Sequence, residues 1–293
     1  ECVTCAHSVG LKQTLLMPYV TLGSLINFCD CFMSGGTGDK NHSEVGSSFV
    51  HFNFTPHQDK ATPSLFGDVP RGVMLDQPPI FLGGQGGVVG PIRIEFGTVT
   101  AAGAVCRRDV TTGNKLVLGQ ATTSTGERPY ECGSYGDISR TVRNNFIYLG
   151  NLHALFQWYK HVRSRYAGKN MTASVLHESA MIQIKTMVSE RLKRLSGLAD
   201  KLPASLEIAL KKHGENELYK QPYMMQKNFM ERWPHLKKWM DIDEKKDFAS
   251  LNMNNFLRGM DRLPGSLSYL DAIKALQPNI KSSGTLWLQS IVD

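Results

Sequence analysis

The sequence predicts a body of stacked short parallel strands followed by an all-helical region, and three observations carry that prediction. Apolar or small residues recur at every sixth position: Leu82, Val88, Ile94, Thr100 and Cys106, and earlier Leu16, Leu22 and Phe28. From residue 138 onward the apolar spacing changes to threes and fours. Charge and cysteine divide at the same place. Residues 1–137 hold 9 Lys+Arg against 12 Asp+Glu and all six cysteines, whereas residues 138–293 hold 24 against 14. The net charge of +7 is therefore the sum of −3 and +10, a split that implies two structural regimes.

A six-residue step has a simple physical reading. Each hexad supplies one short flat strand and a corner, three hexads close one triangular turn of chain, and like positions stack on one another. Residues 1–112 are thus expected to form a left-handed parallel β-helix of hexapeptide repeats, the exception to right-handed crossovers. Small residues beside the apolar position, as in Leu22-Gly23, Val45-Gly46, Leu82-Gly83 and Ala102-Gly103, let the chain turn. The stretch from Val69 to Ile80, with Pro70-Arg71-Gly72 and Pro78-Pro79, breaks the rhythm and reads as an inserted loop. Gly83-Gly84-Gln85-Gly86-Gly87 has neither the Gly-Lys-Ser/Thr ending of a phosphate loop nor a helical pattern after it, and reads as a crowded corner. Cys2-Val3-Thr4-Cys5 has a spacing that suits zinc, but Cys29-Asp30-Cys31 does not. The cysteines are expected to be reduced packing groups, with Cys29 and Cys31 pointing the same way, and no metal is expected.

Residues 113–137 are Thr/Gly-rich and read as a connecting loop, and residues 138–293 as an α-helical region. Val142, Phe146, Leu149, Leu152, Phe156, Tyr159, Val162 and Tyr166 form one stripe of a long amphipathic helix, with Asp137 as its N-cap and Gly168 as its stop. Met181, Ile184, Val188, Leu192 and Leu195 form a second stripe. Further helices are expected near 204–213, 222–240, 244–262 and 267–277, bent or separated by Trp233-Pro234, Pro264 and Pro278. Basic residues cluster at Arg191, Lys193 and Arg194, at Lys237-Lys238 and at Lys245-Lys246, but acids intersperse them and no nucleic-acid motif accompanies them. They read as solvated helix faces able to steer anionic substrates, and nucleic acid is not the expected partner.

Composition excludes several classes. With 41% hydrophobic and 20% charged residues the chain is not globally disordered. No apolar run approaches the roughly 18 residues of a membrane helix. No signal sequence opens the chain, so a cytoplasmic location is expected. The chain starts at Glu1 rather than Met, and Leu16 already keeps the hexad rhythm, so the repeat is expected to begin upstream.

The run Val88-Val89-Gly90-Pro91-Ile92-Arg93-Ile94-Glu95-Phe96-Gly97-Thr98, continuing through Ala102-Gly103 to Arg108-Asp109-Val110, resembles the last β-helix coils of a known family. That family is the bacterial bifunctional glucosamine-1-phosphate acetyltransferase/N-acetylglucosamine-1-phosphate uridylyltransferase, or UDP-N-acetylglucosamine pyrophosphorylase, family. Ser43-Glu44-Val45-Gly46, Asn53-Phe54, Lys60-Ala61-Thr62 and Gly67-Asp68 resemble its upstream motifs, so the likeness spans roughly residues 15–112. The resemblance implies a homotrimer with sites between neighbouring β-helices, acetyl-CoA as co-substrate, and an amino-sugar phosphate or nucleotide sugar as ligand. It places Asn53 against the sugar, Lys60 on the sugar phosphate, and Gly84 and Ala102 beside the acetyl-CoA channel. No uridylyl-transfer loop is present. The position of the family's catalytic His falls on Gly36 and that of its Tyr on Asp39, and its CoA-binding Arg has no ungapped equivalent near Leu118-Gly119.

Acyl transfer to an amine needs a base, and a histidine near neutrality supplies one. His42, His51 and His57 lie near Asn53 and Lys60 in sequence. His51 and His42 are the candidate catalytic groups. His51 stands two residues from Asn53, so both side chains can share one strand face. The expected function is that of a hexapeptide-repeat transferase that N-acetylates an amino-sugar phosphate from acetyl-CoA. The alternative is a non-catalytic sugar-nucleotide-binding or trimeric scaffold protein.

Overall fold

Short strands dominate the first 117 residues of the computed structural model. It describes residues 1–293 except 54, 120–126, 128–129, 169, 214–216 and 243–247, together with the side chains of 213 and 217–219. The strands are β1 (Thr4–Cys5), β2 (Gly10–Lys12), β3 (Leu15–Leu16), β4 (Val20–Leu22), β5 (Asn27–Cys29), β6 (Cys31–Met33), β7 (Ser43–Val45), β8 (Val50–Phe52) and β9 (Ser64–Phe66). A single turn of helix, α1 (Val69–Gly72), precedes β10 (Phe81–Leu82), β11 (Gly87–Val89), β12 (Arg93–Ile94), β13 (Val99–Thr100), β14 (Val105–Cys106) and β15 (Leu116–Val117).

These strands build three parallel sheets that the chain visits in rotation. The first runs β1-β4-β7-β10-β13-β15, the second β14-β11-β8-β5-β2 and the third β12-β9-β6-β3. Where no loop intervenes, the register advances by 17 or 18 residues per circuit, 17 in Thr4↔Thr21 and Gly10↔Asn27 and 18 in Phe81↔Val99 and Gly87↔Val105. The 18-residue step is three hexads, and the 17-residue step is one residue short of that. Leu82 lies against Thr100 and Val88 against Cys106, so the sixfold positions stack as expected. Their side chains meet in a common interior with Leu22, Phe28, Met33, Val45, Phe66 and Ile94 from all three sheets. Phe28 anchors it, stacked on Phe66 at 5.6 Å and edge-on to Phe49 at 5.8 Å. The corners demand left-handed backbone, and ordinary residues supply it at Leu25 (φ 60°), Asp30 (φ 61°) and Ser48 (φ 62°).

The third sheet differs from the others on its outer face. Along β6, Cys31 and Met33 point into the strand interior, whereas Phe32 points the other way and is buried among helices. Leu65 in β9 pairs with Phe32 and shares that second core. The helices that cover this face are α2 (Ser139–Trp158), a π-helical turn over Tyr159–Arg163, α3 (Ser164–Ala167), α4 (Met171–Ala199), α5 (Leu202–His213), α6 (Glu217–Met240), α7 (Leu251–Asp261), α8 (Tyr269–Ala275) and α9 (Pro278–Val292). Both expected stripes are buried in α2 and α4, with Val142, Leu149, Leu152 and Phe156 on one and Ile184, Val188, Leu192 and Leu195 on the other. The N-cap of α2 is Ile138 rather than the expected Asp137, which accepts from the Ser139 amide at 2.8 Å one residue earlier, and Gly168 ends α3.

Three asparagines on α2 fasten it to the strands. Asn144 donates to Asp109 at 2.9 Å, Asn145 donates to the Ala61 carbonyl at 3.0 Å, and Asn151 accepts from the Val69 amide at 2.8 Å. Asn is a mediocre helix former, so its use here reflects what it bonds.

Several expectations change. The stretch 113–137 is not all connection, because β15 pairs with β13 and extends the first sheet. The 69–80 insertion carries no strand but contains α1, capped by Asp68. Cys29 and Cys31 do not point the same way: the corner residue Asp30 puts Cys29 on the second sheet and Cys31 on the third. Pro234 lies within α6, and Pro278 starts α9 at its first turn, where a missing N–H costs nothing. The helix expected over 244–262 is observed from Leu251, and residues 243–247, with Lys245-Lys246, lie outside the described residues. Among the described residues, no helix is long and apolar enough to cross a membrane.

Phe32 is the side chain that most directly joins the two cores. Phe32→Ala is expected to cost about 3–5 kcal/mol in urea denaturation, with helical and tertiary signals lost together. Separate transitions for the two signals would mean that the two cores do not unfold as one unit, and unchanged stability would mean that the helices do not depend on this face.

Candidate functional site

The sequence-predicted site residues fall at different turns of the strand rotation. His42 lies where the chain passes from the third sheet to the first, between β6 and β7. Its Nδ1 is 2.8 Å from the Asp39 carbonyl and its Nε2 is 3.6 Å from Glu44. His51, Asn53 and Lys60 belong to β8 and to the 53–63 loop that leads from the second sheet to the third. Gly84 and Ala102 lie one circuit apart where the first sheet passes to the second, and Gly103 donates to the Gly84 carbonyl at 2.9 Å. The three groups therefore occupy three different corners, and one chain does not bring them together. Phe54 lies outside the described residues.

His51 is an interior side chain. It pairs with Val88 across the second sheet, is 2% exposed, and its Nε2 lies 2.7 Å from Ser64 Oγ. Burial pushes its pKa down to about 4, and the Arg191 charge acts in the same direction. Asn53 instead is half-buried and hydrogen-bonds the Asp30 carboxylate. The expected shared face of His51 and Asn53 is thus not formed, and His51 is closed to a substrate by Ser64 and Gly90. A Cβ on Gly90 would stand 2.9 Å from the His51 ring and 2.3 Å from the Thr62 carbonyl, so this position has no room for a larger residue.

The helical region occupies the corner where a sugar was expected. Arg191 on α4 is 3% exposed and donates to Asp30, itself 7% exposed, at 2.7 Å. It reaches the Lys60 carbonyl at 3.4 Å. Burial raises the Asp30 pKa, against the pull of Arg191 and the Asn53 hydrogen bond. Lys201 donates to the His57 carbonyl, Gly133 donates to His57 Nδ1 at 3.2 Å, and the Tyr135 hydroxyl donates to Asp59 at 3.0 Å. The 53–63 loop is therefore strapped down by α4, the α4–α5 junction and the 133–135 segment. Arg191, grouped in sequence with a solvated basic face, is a buried ion-pair residue instead. Its neighbour Arg194 pairs with Glu190 at 2.6 Å. Sequence reasoning missed Arg191 because Lys193 and Arg194 beside it mimic a surface cluster; its place in the stripe, one residue before Leu192, was the available signal.

A polar cleft opens on the same side of the molecule, between the third sheet and helices α2 and α9. Its volume is about 440 Å³, and its polar lining includes Asp68, Arg71, Arg93, Glu95, Gln289 and Asp293. Arg71 is fully engaged. It donates to both carboxylates, with Nε 2.7 Å from Asp68 and Nη2 2.9 Å from Glu95, and lies over the Phe96 ring at 4.8 Å. Asp68 is raised by burial, against the opposing effect of Arg71. Arg93 is less committed. Its Nη2 is 3.5 Å from Asp109, and its buried Nε has no hydrogen-bond partner among the described residues. Arg93 continues the outer ladder of the third sheet beyond Phe32 and Leu65, as its pairing with Leu65 fixes. The cleft thus offers one guanidinium with donor capacity to spare and three carboxylates, Asp68, Glu95 and Asp293, while its two amides are already hydrogen-bonded, Asn151 to Val69 and Ile147 and Gln289 to Asp293. That set suits a hydroxyl-rich ligand that carries an anionic group. Among the described residues, no group of three or more His, Cys, Asp or Glu could hold a metal ion.

Comparison with known protein families, with curated proteins and with solved structures returned no match.

Two predictions follow from the strapped corner. Arg191→Ala leaves Asp30 buried without its partner and is expected to destabilise the fold by about 3–5 kcal/mol, measured by urea denaturation. The joint change Asp30→Asn with Arg191→Met should recover most of that loss. The second concerns pH. The unfolded His51 ring takes up its proton near 6.5 and the folded one only near 4. The unfolded chain therefore binds the extra proton between those values, and stability is full above about pH 6.5 and falls as pH drops through the window. Between pH 7 and pH 4.5 the wild type should lose roughly 2–3 kcal/mol more than His51→Asn. Asp30 is common to both chains, so its own titration cancels in the difference.

Proposed function

We propose that this protein is a left-handed hexapeptide-repeat β-helix protein, related to the UDP-N-acetylglucosamine pyrophosphorylase family, that binds a phosphorylated sugar without acylating it. The 17–18-residue circuit and the rotation over three parallel sheets from β1 to β14 support the β-helix reading. The observation that carries the binding reading is the cleft at Arg93. The Arg93 Nε is buried, but its side chain is 26% exposed, and that exposed part would meet a phosphate, while Asp68, Glu95 and Asp293 would accept from sugar hydroxyls. The size suits a monosaccharide phosphate, at the small end of the roughly 300–1,000 Å³ usual for small-molecule sites. Among the described residues no aromatic ring lines the cleft, so the base of a nucleotide sugar would extend outside it. The strapped 53–63 loop argues against a sugar at Asn53 and Lys60.

A second reading keeps acyl transfer, in a homotrimer whose neighbouring chains combine different corners. One observation favours it: the corner at Ala102 is exposed, and nothing lies within 4 Å of the space beside Gly103, so an extended acetyl-CoA would meet no obstacle there.

Calorimetric titration with glucosamine 1-phosphate and N-acetylglucosamine 1-phosphate separates these readings. Binding is expected, weakened about 10–100-fold by Arg93→Ala, the worth of a charge-assisted hydrogen bond, and left unchanged by Lys60→Ala. Absence of heat, or an Arg93→Ala affinity equal to wild type, would overturn the cleft assignment. Release of free thiol from acetyl-CoA in the presence of glucosamine 1-phosphate, together with a trimeric mass in solution, would favour the transferase instead.

A further inference from the structure

Helices α7 and α9 cross tightly, and the crossing leaves a small polar hollow at one edge. A Cβ on Gly259 of α7 would collide with Ile280, and one on Gly284 of α9 with Phe256. The two glycines thus let the helices approach closely. These contacts run in opposite directions along the two helices, so the end of α7 lies beside the start of α9. Asn255, Arg258 and Arg262 of the α7 segment line the hollow on one side, and Asn279 and Ser283 of α9 on the other. Its volume is about 200 Å³. Small-molecule sites usually begin at roughly 300 Å³, so the hollow takes one group of a ligand rather than a whole molecule.

The charge of this hollow is one-sided. Arg258 and its i+4 neighbour Arg262, the C-cap of α7, stand one helical turn apart on the same face. Both are exposed, and neither side chain makes a hydrogen bond or an ion pair among the described residues. Arg71, Arg163, Arg165 and Arg191, by contrast, each hold a carboxylate. Among the described residues no Asp or Glu lines the hollow. The carboxylate nearest in sequence, Asp261, is turned to Arg165 of α3, whose Nη1 lies 2.5 Å from it. The two helix ends that meet here carry dipoles of opposite sign, which offset each other. The two guanidiniums therefore set the charge, and Asn255 and Asn279 add neutral amide donors.

We propose that this hollow binds a phosphate dianion, either free or as the end group of a small phosphomonoester. Two planar donor forks one turn apart match a tetrahedral group whose oxygens point in several directions. A carboxylate has one charge and two oxygens in one plane, so it would engage one fork and leave the other guanidinium unpaired. The hollow is separate from the sugar-phosphate cleft and shares no lining residue with it. Asn279 in the one and Gln289 in the other stand about 15 Å apart along α9 at 1.5 Å per residue.

Calorimetric titration of the Arg93→Ala protein, which lacks the guanidinium of the other cleft, tests the assignment. Inorganic phosphate should bind saturably, and acetate about 10-fold or more weakly. Arg258→Gln and Arg262→Gln should each weaken phosphate by about 10-fold or more, the worth of a charge-assisted hydrogen bond, with the circular dichroism spectrum unchanged. Ser283→Asp supplies from the opposite helix the carboxylate that the hollow lacks, and should weaken phosphate to a similar extent. It keeps the test decisive should an arginine variant fail to fold. Lys237→Gln combined with Lys238→Gln removes two exposed charges outside the hollow and should leave the affinity within about 2-fold. Methyl phosphate distinguishes the sources: affinity equal to that of inorganic phosphate assigns a phosphomonoester, and binding of inorganic phosphate alone assigns the free anion. No saturable heat with phosphate, equal affinity for acetate, hollow variants that match their parent, or an equal loss in the Lys237/Lys238 variant would each overturn the proposal.

Discussion

The outer face of the third sheet is the constraint on which the rest of the molecule depends. A strand circuit buries one side of each sheet in its own interior, and the opposite side is left to face water. Here that side carries Phe32 and Leu65, packed with Met17, Tyr19 and Ala61 into a core continuous with the helices. Large apolar side chains on a sheet face must be covered, and a sheet with both faces apolar belongs between layers. The helical region supplies the second layer. The +10 half of the chain is thus built against one face of the −3 half, rather than being an appendage.

The polar contacts at that boundary follow from the same need. Covering a sheet with helices buries loop backbone as well as side chains, and buried amides and carbonyls must be paired. Asn145 and Asn151 meet the backbone of the 53–63 and 67–80 segments, and Arg191 meets Asp30 and the Lys60 carbonyl. The two long insertions between circuits are therefore docking straps. This also explains the displacement of the expected site. The corner at Asn53 and Lys60 is spent on holding helices, while the cleft beside Arg93 lies where the third sheet's ladder changes from Phe32 and Leu65 to a charged residue. A buried ion pair contributes little net stability, because both charges lose their water. Its geometric value is to fix where α4 sits over the corner.

The periodic features were legible from the residues, and the one-off contacts were not. The sixfold rhythm of Leu82, Val88, Ile94, Thr100 and Cys106 reports stacking of one circuit on the next, so a short sequence samples it several times. The stripes of α2 and α4 are legible for the same reason. Arg191, Asn145 and the cleft at Arg93 each depend on a single meeting between segments far apart in sequence, and no local pattern encodes such a meeting. His51 illustrates the difference. Its alternation with Asn53 suggested one shared face, but the corner after β8 ends the strand before alternation can extend to Asn53. The register then places His51 inward against Val88. The helix α9 was missed because Pro278 reads as a breaker when it is the first residue of a helix.

Native-state hydrogen exchange under increasing denaturant tests most directly whether the helices and the third sheet form one cooperative unit. If they do, amides of β6 and β9 and of the central turns of α2 and α4 converge on a common opening free energy, equal to that of global unfolding. Helical amides that open together at a clearly lower free energy, while β6 and β9 remain protected, would contradict a single unit.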